Sequence, residues 1–264
     1  MQCGKCNGTA LSCRFFCNRE NGAFPTLISI ITMFFAGGAF FGGTFAAACL
    51  LTGLILLSVG LTFACSKLLS KTLLKGEASS FVLEMPAYRR PQIGKVIVRS
   101  VLDRTLFVLG RAAAVAAPAG LLLWLMANIS IGGSSIMVWC AQFLQPFANL
   151  LGLDGAILLA FILGLPANEI VIPIVLMLYT GAGTMMELGD LAAMKTLLIA
   201  NGWTIKTALC TLLFMLVHWP CSTTLITIRK ETGSWKWMWL AATLPALAGA
   251  LLCMLVNFGF FLFA

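Results

Sequence analysis

Three stretches of this chain, residues 21–66, 112–153 and 237–264, contain no Lys, Arg, Asp or Glu. A helix needs about 20 mostly apolar residues to cross a bilayer, so the first two stretches are each long enough for two passes. A soluble domain needs a charged exterior, whereas 60% of these 264 residues are hydrophobic and only 10% charged. The solvent is therefore lipid. Lipid requires every backbone N–H and C=O to be satisfied within its segment, and solid apolar runs in place of alternation exclude a barrel. The expected fold is all-α, a polytopic transmembrane helical bundle. Residues 1–20 are polar and Cys-rich, without the basic flank and short apolar run of a secretory signal, so no cleaved signal is expected.

The net charge of +8 would point to nucleic acid in a soluble protein, but its location points elsewhere. Nine of the seventeen basic residues, from Lys67 to Arg111, lie between the first two charge-free stretches. They read as a cytoplasmic face against anionic headgroups, and no nucleic-acid partner is expected. The chain divides into a Cys-rich segment at 1–20, either disordered or foreign to the rest, and a transmembrane hairpin at 21–66. A basic connector at 67–107 follows, with an amphipathic piece from about Ile93 to Phe107, and then a membrane core at 108–264. In that core residues 108–129 are expected to cross, 135–152 to cross or dip, and 155–180, 203–228 and 238–262 to cross, giving about seven membrane segments. Arg229, Lys230 and Lys236 place the last turn in the cytoplasm, and Trp203, Trp235, Trp237 and Trp239 read as interfacial anchors.

Two of these spans are broken by proline, which lacks a donor and restricts the residue before it. The first break is Pro166-Ala167-Asn168-Glu169, with Pro173 beyond it. An ionised Glu at mid-bilayer costs about 2.5 to 3.5 kcal/mol, so Glu169 calls for a cavity, a partner or a proton. The alternative is a Glu that caps a helix N-terminus at the interface. The second break puts His218, Cys221, Ser222, Thr223 and Thr224 within two turns around Pro220. Imidazole and thiolate suit iron, zinc and copper, and hydroxyls line hydrated routes. The alternative is hydroxyls bonded back to their own helix and a packed Cys221. Two broken helices in a small membrane domain match the way transporters build midplane sites, so a transport path is expected, not an enzyme site. Cys3, Cys6, Cys13 and Cys17 form CxxC followed by CxxxC, a spacing open to zinc or a soft divalent ion although no His lies nearby.

The runs Gly164-Leu165-Pro166-Ala167-Asn168-Glu169-Ile170-Val171 and His218-Trp219-Pro220-Cys221-Ser222-Thr223-Thr224-Leu225 resemble the membrane half of the ferrous iron transport protein B family. Phe81-Val82-Leu83-Glu84-Met85-Pro86-Ala87-Tyr88-Arg89 resembles that family's connector, and Asn21-Gly22-Ala23-Phe24-Pro25-Thr26-Leu27 the end of its first gate motif. The resemblance implies Fe²⁺ as cargo, moved across the inner membrane into the cytoplasm by a multi-pass permease. It implies Cys221 as a transient ligand and no permanently bound cofactor; from the two breaks themselves, Glu169, Asn168 and His218 are expected to line or gate the path, with Glu169 and Cys17 as further candidate metal ligands. At the first gate Glu20 and Ala23 stand where the family has Cys and Arg, and Cys17 lies three positions upstream. Family members carry an N-terminal GTP-binding domain, whereas no G-x-x-x-x-G-K-[ST] loop occurs here. The expectation is a C-terminal portion, either of a split system whose GTP-binding domain is another chain or of a truncated reading frame; self-association is left open. The alternatives are a non-transporting scaffold and a related permease for a nucleoside or other solute.

Overall fold

The computed structural model describes residues 20–35, 43–72, 105–184 and 190–263, with residues 94, 98 and 102 between them. The Cys-rich segment including Cys17, the connector motif at 81–89, most of the amphipathic piece and the glycines at 37, 38 and 42 lie outside the described residues. Within them the chain is helical, as lipid demands. The helices are α1 (Glu20–Phe35), α2 (Thr44–Thr72), α3 (Phe107–Asn128), α4 (Ile136–Leu150), α5 (Gly155–Leu163), α6 (Val171–Thr180), α7 (Leu191–Ala200), α8 (Ile205–Val217), α9 (Ser222–Thr232) and α10 (Trp235–Phe263). A two-residue ribbon, β1 (Ser130–Ile131) with β2 (Ser134–Ser135), turns on Gly132 and Gly133 at φ 64° and 87°. The Gly-Gly pair is the local signal for that turn.

Among the described residues three stretches are long and apolar enough to cross: α2, the pair α8–α9 taken together, and α10. Helix α3, 22 residues and about 33 Å long, runs between the connector and the ribbon. Cys65 near the end of α2 packs with Ile228 of α9 and Trp237 of α10, so Lys67, Lys71, Arg229, Lys230 and Lys236 gather at one basic face. The turn there closes on Gly233 at φ 65°, a left-handed cap whose N–H donates to the Arg229 carbonyl. Arg229 lies 3.5 Å over the Trp235 ring. The opposite face is marked by the end of α1, where Phe34 stacks on Trp203 at 5.9 Å. Trp203 is buried, which removes it from the expected interfacial anchors; Trp235 and Trp239 are exposed.

The segment 155–180 does not cross. Laid end to end, α5 and α6 would hold Asp154 and Tyr179 roughly 37 Å apart at 1.5 Å per residue. Instead Tyr179 Oη donates to Asp154 Oδ2 at 2.9 Å, and Trp203 Nε1 donates to Tyr179 Oη at 2.9 Å. The two helices therefore form a re-entrant hairpin whose ends meet at the far face and whose tip is residues 164–170. Gly164 at the tip is obligatory for space, since a Cβ there would lie 2.7 Å from Val171 and 2.8 Å from the Ala160 carbonyl. Helix α4 also stays on the far face: it follows the ribbon, bends by 107° into α5, and its last carbonyls accept from Asn257 of α10. Its exposed stripe of Trp139, Phe143 and Phe147 at i, i+4 and i+8 suits a helix lying in the interface. An apolar run of 15 to 20 residues reads the same whether it crosses or dips, which is why the count of about seven crossings is reduced.

Phe161, Ile157, Ile174 and Leu212 are fully buried because α5, α6 and the upper half of α8 are ringed by other helices. Between lipid-solvated helices burial brings no transfer gain, so close packing and interhelical hydrogen bonds hold these elements together. That places particular weight on the polar contacts at the hairpin tip.

Candidate functional site

Helix α8 stops at His218, whose N–H still donates to the Phe214 carbonyl at 2.7 Å, because Pro220 has no N–H to continue the ladder. His218 and Cys221 are extended, the latter at φ −60° and ψ 154°, and α9 begins at Ser222. Across from this break lies the hairpin tip. Pro166 ends the turn after α5, Ala167 is extended, and Asn168-Glu169-Ile170 form one 3₁₀ turn before α6. Pro173 sits in the first turn of α6, where its missing donor costs nothing.

The two breaks are stitched together. Ser222 N–H donates to the Leu165 carbonyl at 2.8 Å, and His218 Nε2 lies 3.2 Å from Asn168 Oδ1. His218 is buried, and its Nδ1 lies 2.9 Å from the Met215 carbonyl, which can only accept; Nδ1 therefore carries a proton. At Nε2 the facing atom is Asn168 Oδ1, so the contact is a hydrogen bond where Nε2 also carries a proton or where the amide is turned to present its NH₂. Both ring nitrogens are thus engaged, and Phe161, Phe214 and Trp219 surround the ring at 5.2 to 6.1 Å. His218 fastens the seam. Helix α1, which holds the run Asn21–Leu27 that resembles the end of a first gate motif, packs beside the tip and against α8.

Cys221 is half-buried at the start of α9, with its Sγ 3.1 Å from both Thr223 Oγ1 and Thr224 Oγ1. Those two hydroxyls turn to the thiol, whereas Thr227 bonds back to the Thr223 carbonyl. On either side of Cys221, Trp219 Nε1 and Ser222 Oγ are buried without a hydrogen-bond partner among the described residues. A buried polar group left this way costs about 1 to 3 kcal/mol, which a polar species in the seam would offset. Glu169 is exposed on the tip. It precedes a helix N-terminus, as the capping reading expects, but at the inner end of the hairpin and not at the interface.

The structure thus joins Asn168 to His218 and gathers Cys221, Thr223 and Thr224, while Glu169 stands on the outer side of the tip. Among the described residues no three His, Cys, Asp or Glu side chains converge as a metal-binding group. An ion here would meet few protein donors at once and would keep water for the rest of its shell, the condition for release. Sequence reasoning missed the Leu165 and Met215 carbonyls and the Asp154–Tyr179–Trp203 chain. For Asp154 a signal existed: an acidic residue directly before Gly155 and an apolar run is an N-cap, and its Oδ1 accepts from Gly155 N at 2.8 Å.

The family profile described as "Ferrous iron transport protein B C terminus" matches residues 51–103, and the one described as "Nucleoside recognition", the Gate profile, matches residues 109–235. The chain is 27% identical over 202 residues to the Fe(2+) transporter FeoB of Staphylococcus aureus, covering 73% of this chain and 28% of that protein. It is 25% identical over 236 residues to the Fe(2+) transporter FeoB of Leptospira interrogans, covering 81% and 33%. A Fe(2+) transport protein A/Fe(2+) transporter FeoB fusion protein of Porphyromonas gingivalis is 24% identical over 246 residues, covering 76% and 29%. The chain spans about a third or less of the length of these curated relatives. No solved structure matches it. With both profiles in chain order and the seam residues inside the Gate match, the chain is similar to the C-terminal membrane portion of the ferrous iron transport protein B family.

Proposed function

We propose that this chain forms part of the membrane path of a ferrous iron importer. Fe²⁺ enters from the far face, passes the seam between the hairpin tip and the α8–α9 break, and leaves at the basic, cytoplasmic face. Cys221 is the transient ligand, Ser222, Thr223 and Thr224 line the route beside it, and Glu169 supplies a carboxylate on the tip. Asn168 and His218 hold the two breaks in register. Cys17 is a further candidate ligand from the segment before α1. GTP hydrolysis is supplied by a GTP-binding domain outside these 264 residues.

The observation that carries this reading is the stitched pair of breaks, with the Ser222–Leu165 and His218–Asn168 bonds placing a thiol and unsatisfied polar atoms inside a membrane bundle. An exposed carboxylate at the depth of the hairpin tip needs water, a neighbouring chain or a proton, and a hydrated path provides the first.

The test is iron uptake in cells without another ferrous importer, expressing the chain together with a GTP-binding partner. Cys221→Ser, which exchanges a soft donor for a hard one, and Glu169→Gln, which removes a charge, are each expected to slow Fe²⁺ uptake severalfold at unchanged protein level. Unchanged flux in both variants would overturn the site assignment. A chain that binds the partner but never raises uptake would be a scaffold.

A further inference from the structure

Two cavities adjoin at the far face, away from the seam. One, about 340 Å³, is polar, and its walls include Gln145, Asn149, Asp154, Asn201 and Lys206. The other, about 730 Å³, is an apolar groove between α4 and α10 lined by Leu150, Met254, Phe258 and Phe261. Asn149 and Lys206 line both, so the polar cleft opens directly into the groove.

Lys206 is held at this junction. Its Nζ donates to Asn257 Oδ1 at 3.1 Å, and Asn257 Nδ2 donates to the Asn149 and Leu150 carbonyls at 3.1 Å. An ammonium has three donors, and one is used by Asn257. Lys206 also stands against the charge pattern of the chain, since it lies on the face opposite the basic cluster. A fixed cation between a polar cleft and an apolar groove, at the membrane surface, has the layout of a phospholipid: phosphate at the cation, acyl chain in the groove, headgroup in the cleft. The cleft offers acceptors: the Asp154 carboxylate, which accepts from Gly155 N and Tyr179 Oη, and the Gln145 side-chain carbonyl, which accepts from Gly155 N, each keep lone pairs, and with the Asn201 side-chain carbonyl these suit a primary ammonium and not a trimethylammonium. Phe261, 80% exposed to its surroundings, and Phe258 provide the surface along which a chain would lie.

We propose that these cavities form a specific site for a glycerophospholipid with a primary-amine headgroup, its phosphate on Lys206 and its amine facing Asp154. The site does not depend on the transport reading, and the lipid would brace the α4–α5 bend against α8 and α10.

The test is native mass spectrometry of the full chain, released from detergent after equilibration with equal amounts of phosphatidylethanolamine, phosphatidylcholine and phosphatidylglycerol of identical acyl chains. One phosphatidylethanolamine is expected to be retained in preference to the other two. Lys206→Gln, which keeps a hydrogen bond to Asn257 within reach, is expected to lower its occupancy about tenfold through loss of a charge-assisted bond. Phe261→Ala, on a side chain that supports no other element, is expected to weaken retention of all three without changing their order. Equal retention of the three headgroups, an unaffected Lys206→Gln variant, or displacement of the lipid by inorganic phosphate alone would overturn the proposal.

Discussion

Ser222→Pro is expected to leave α9 intact and yet destabilise the protein by about 2 kcal/mol, because it deletes one buried interhelical hydrogen bond and leaves the Leu165 carbonyl unpaired. Proline is favoured at the first position of a helix, which Ser222 occupies. It also demands an extended predecessor, and Cys221 at φ −60° and ψ 154° already has that conformation. What the substitution removes is the 2.8 Å bond from Ser222 N–H to Leu165 across the two breaks. Ser222→Ala is the matched control: it keeps the N–H and discards a hydroxyl that is buried without a partner, so its stability should be unchanged or raised. Thermal unfolding in detergent with helicity followed by circular dichroism separates the two. On the proposed transport reading, Ser222→Pro also slows Fe²⁺ uptake about tenfold, the equivalent of about 1.4 kcal/mol. Equal stability of the proline and alanine variants would mean that the seam bond contributes nothing.

Gly155→Ala is expected to be the most damaging single methyl addition in the described chain, costing about 3 kcal/mol or more. A Cβ at that position would overlap the Ala141 carbonyl and come within 2.6 Å of Gln145 Oε1. Both belong to α4, and Gln145 Oε1 is itself the acceptor for Gly155 N at 2.9 Å. The collision is with backbone, so no rotamer relieves it; α4 and α5 must separate where they bend. Gly60→Ala in α2, with nothing within 4 Å of the added carbon, is the reference and should be neutral or slightly stabilising through helix propensity. Unfolding temperature and yield in detergent report the difference, and a Gly155→Ala protein as stable as Gly60→Ala would contradict the packing of this bend.

What the sequence made legible follows from local chemistry. Pro166 and Pro220 announce their breaks only together with the polar residues beside them, visible as polar atoms in apolar surroundings, since Pro25, Pro118, Pro146 and Pro245 also lack a donor and sit inside unbroken helices. The basic face followed from Lys67, Lys71, Arg229, Lys230 and Lys236. What was hidden is long-range pairing. Nothing local distinguishes a 26-residue interrupted crossing at 155–180 from two short helices folded back on each other, because in both the helical halves are apolar and the polar residues Asn168 and Glu169 fall at the break. The distinction lies in the Tyr179 hydroxyl reaching Asp154, 25 positions away. Likewise, His218 read as a gating group from its chemistry alone, while its engagement with Met215 and Asn168 depends on a neighbour 50 positions away. The role of Leu165 is carried by a backbone carbonyl, which no side-chain pattern can display.

Residues 155–180 enter and leave the membrane at one face, so that their tip meets the α8–α9 break. Single cysteines at Asn149, Thr184 and Ser234, in a background with the native cysteines replaced, report this through labelling by a membrane-impermeant thiol reagent. Asn149→Cys and Thr184→Cys are predicted to react from the same side, and Ser234→Cys only from the other. Labelling of Asn149→Cys together with Ser234→Cys, and apart from Thr184→Cys, would show that the segment crosses and would contradict the hairpin.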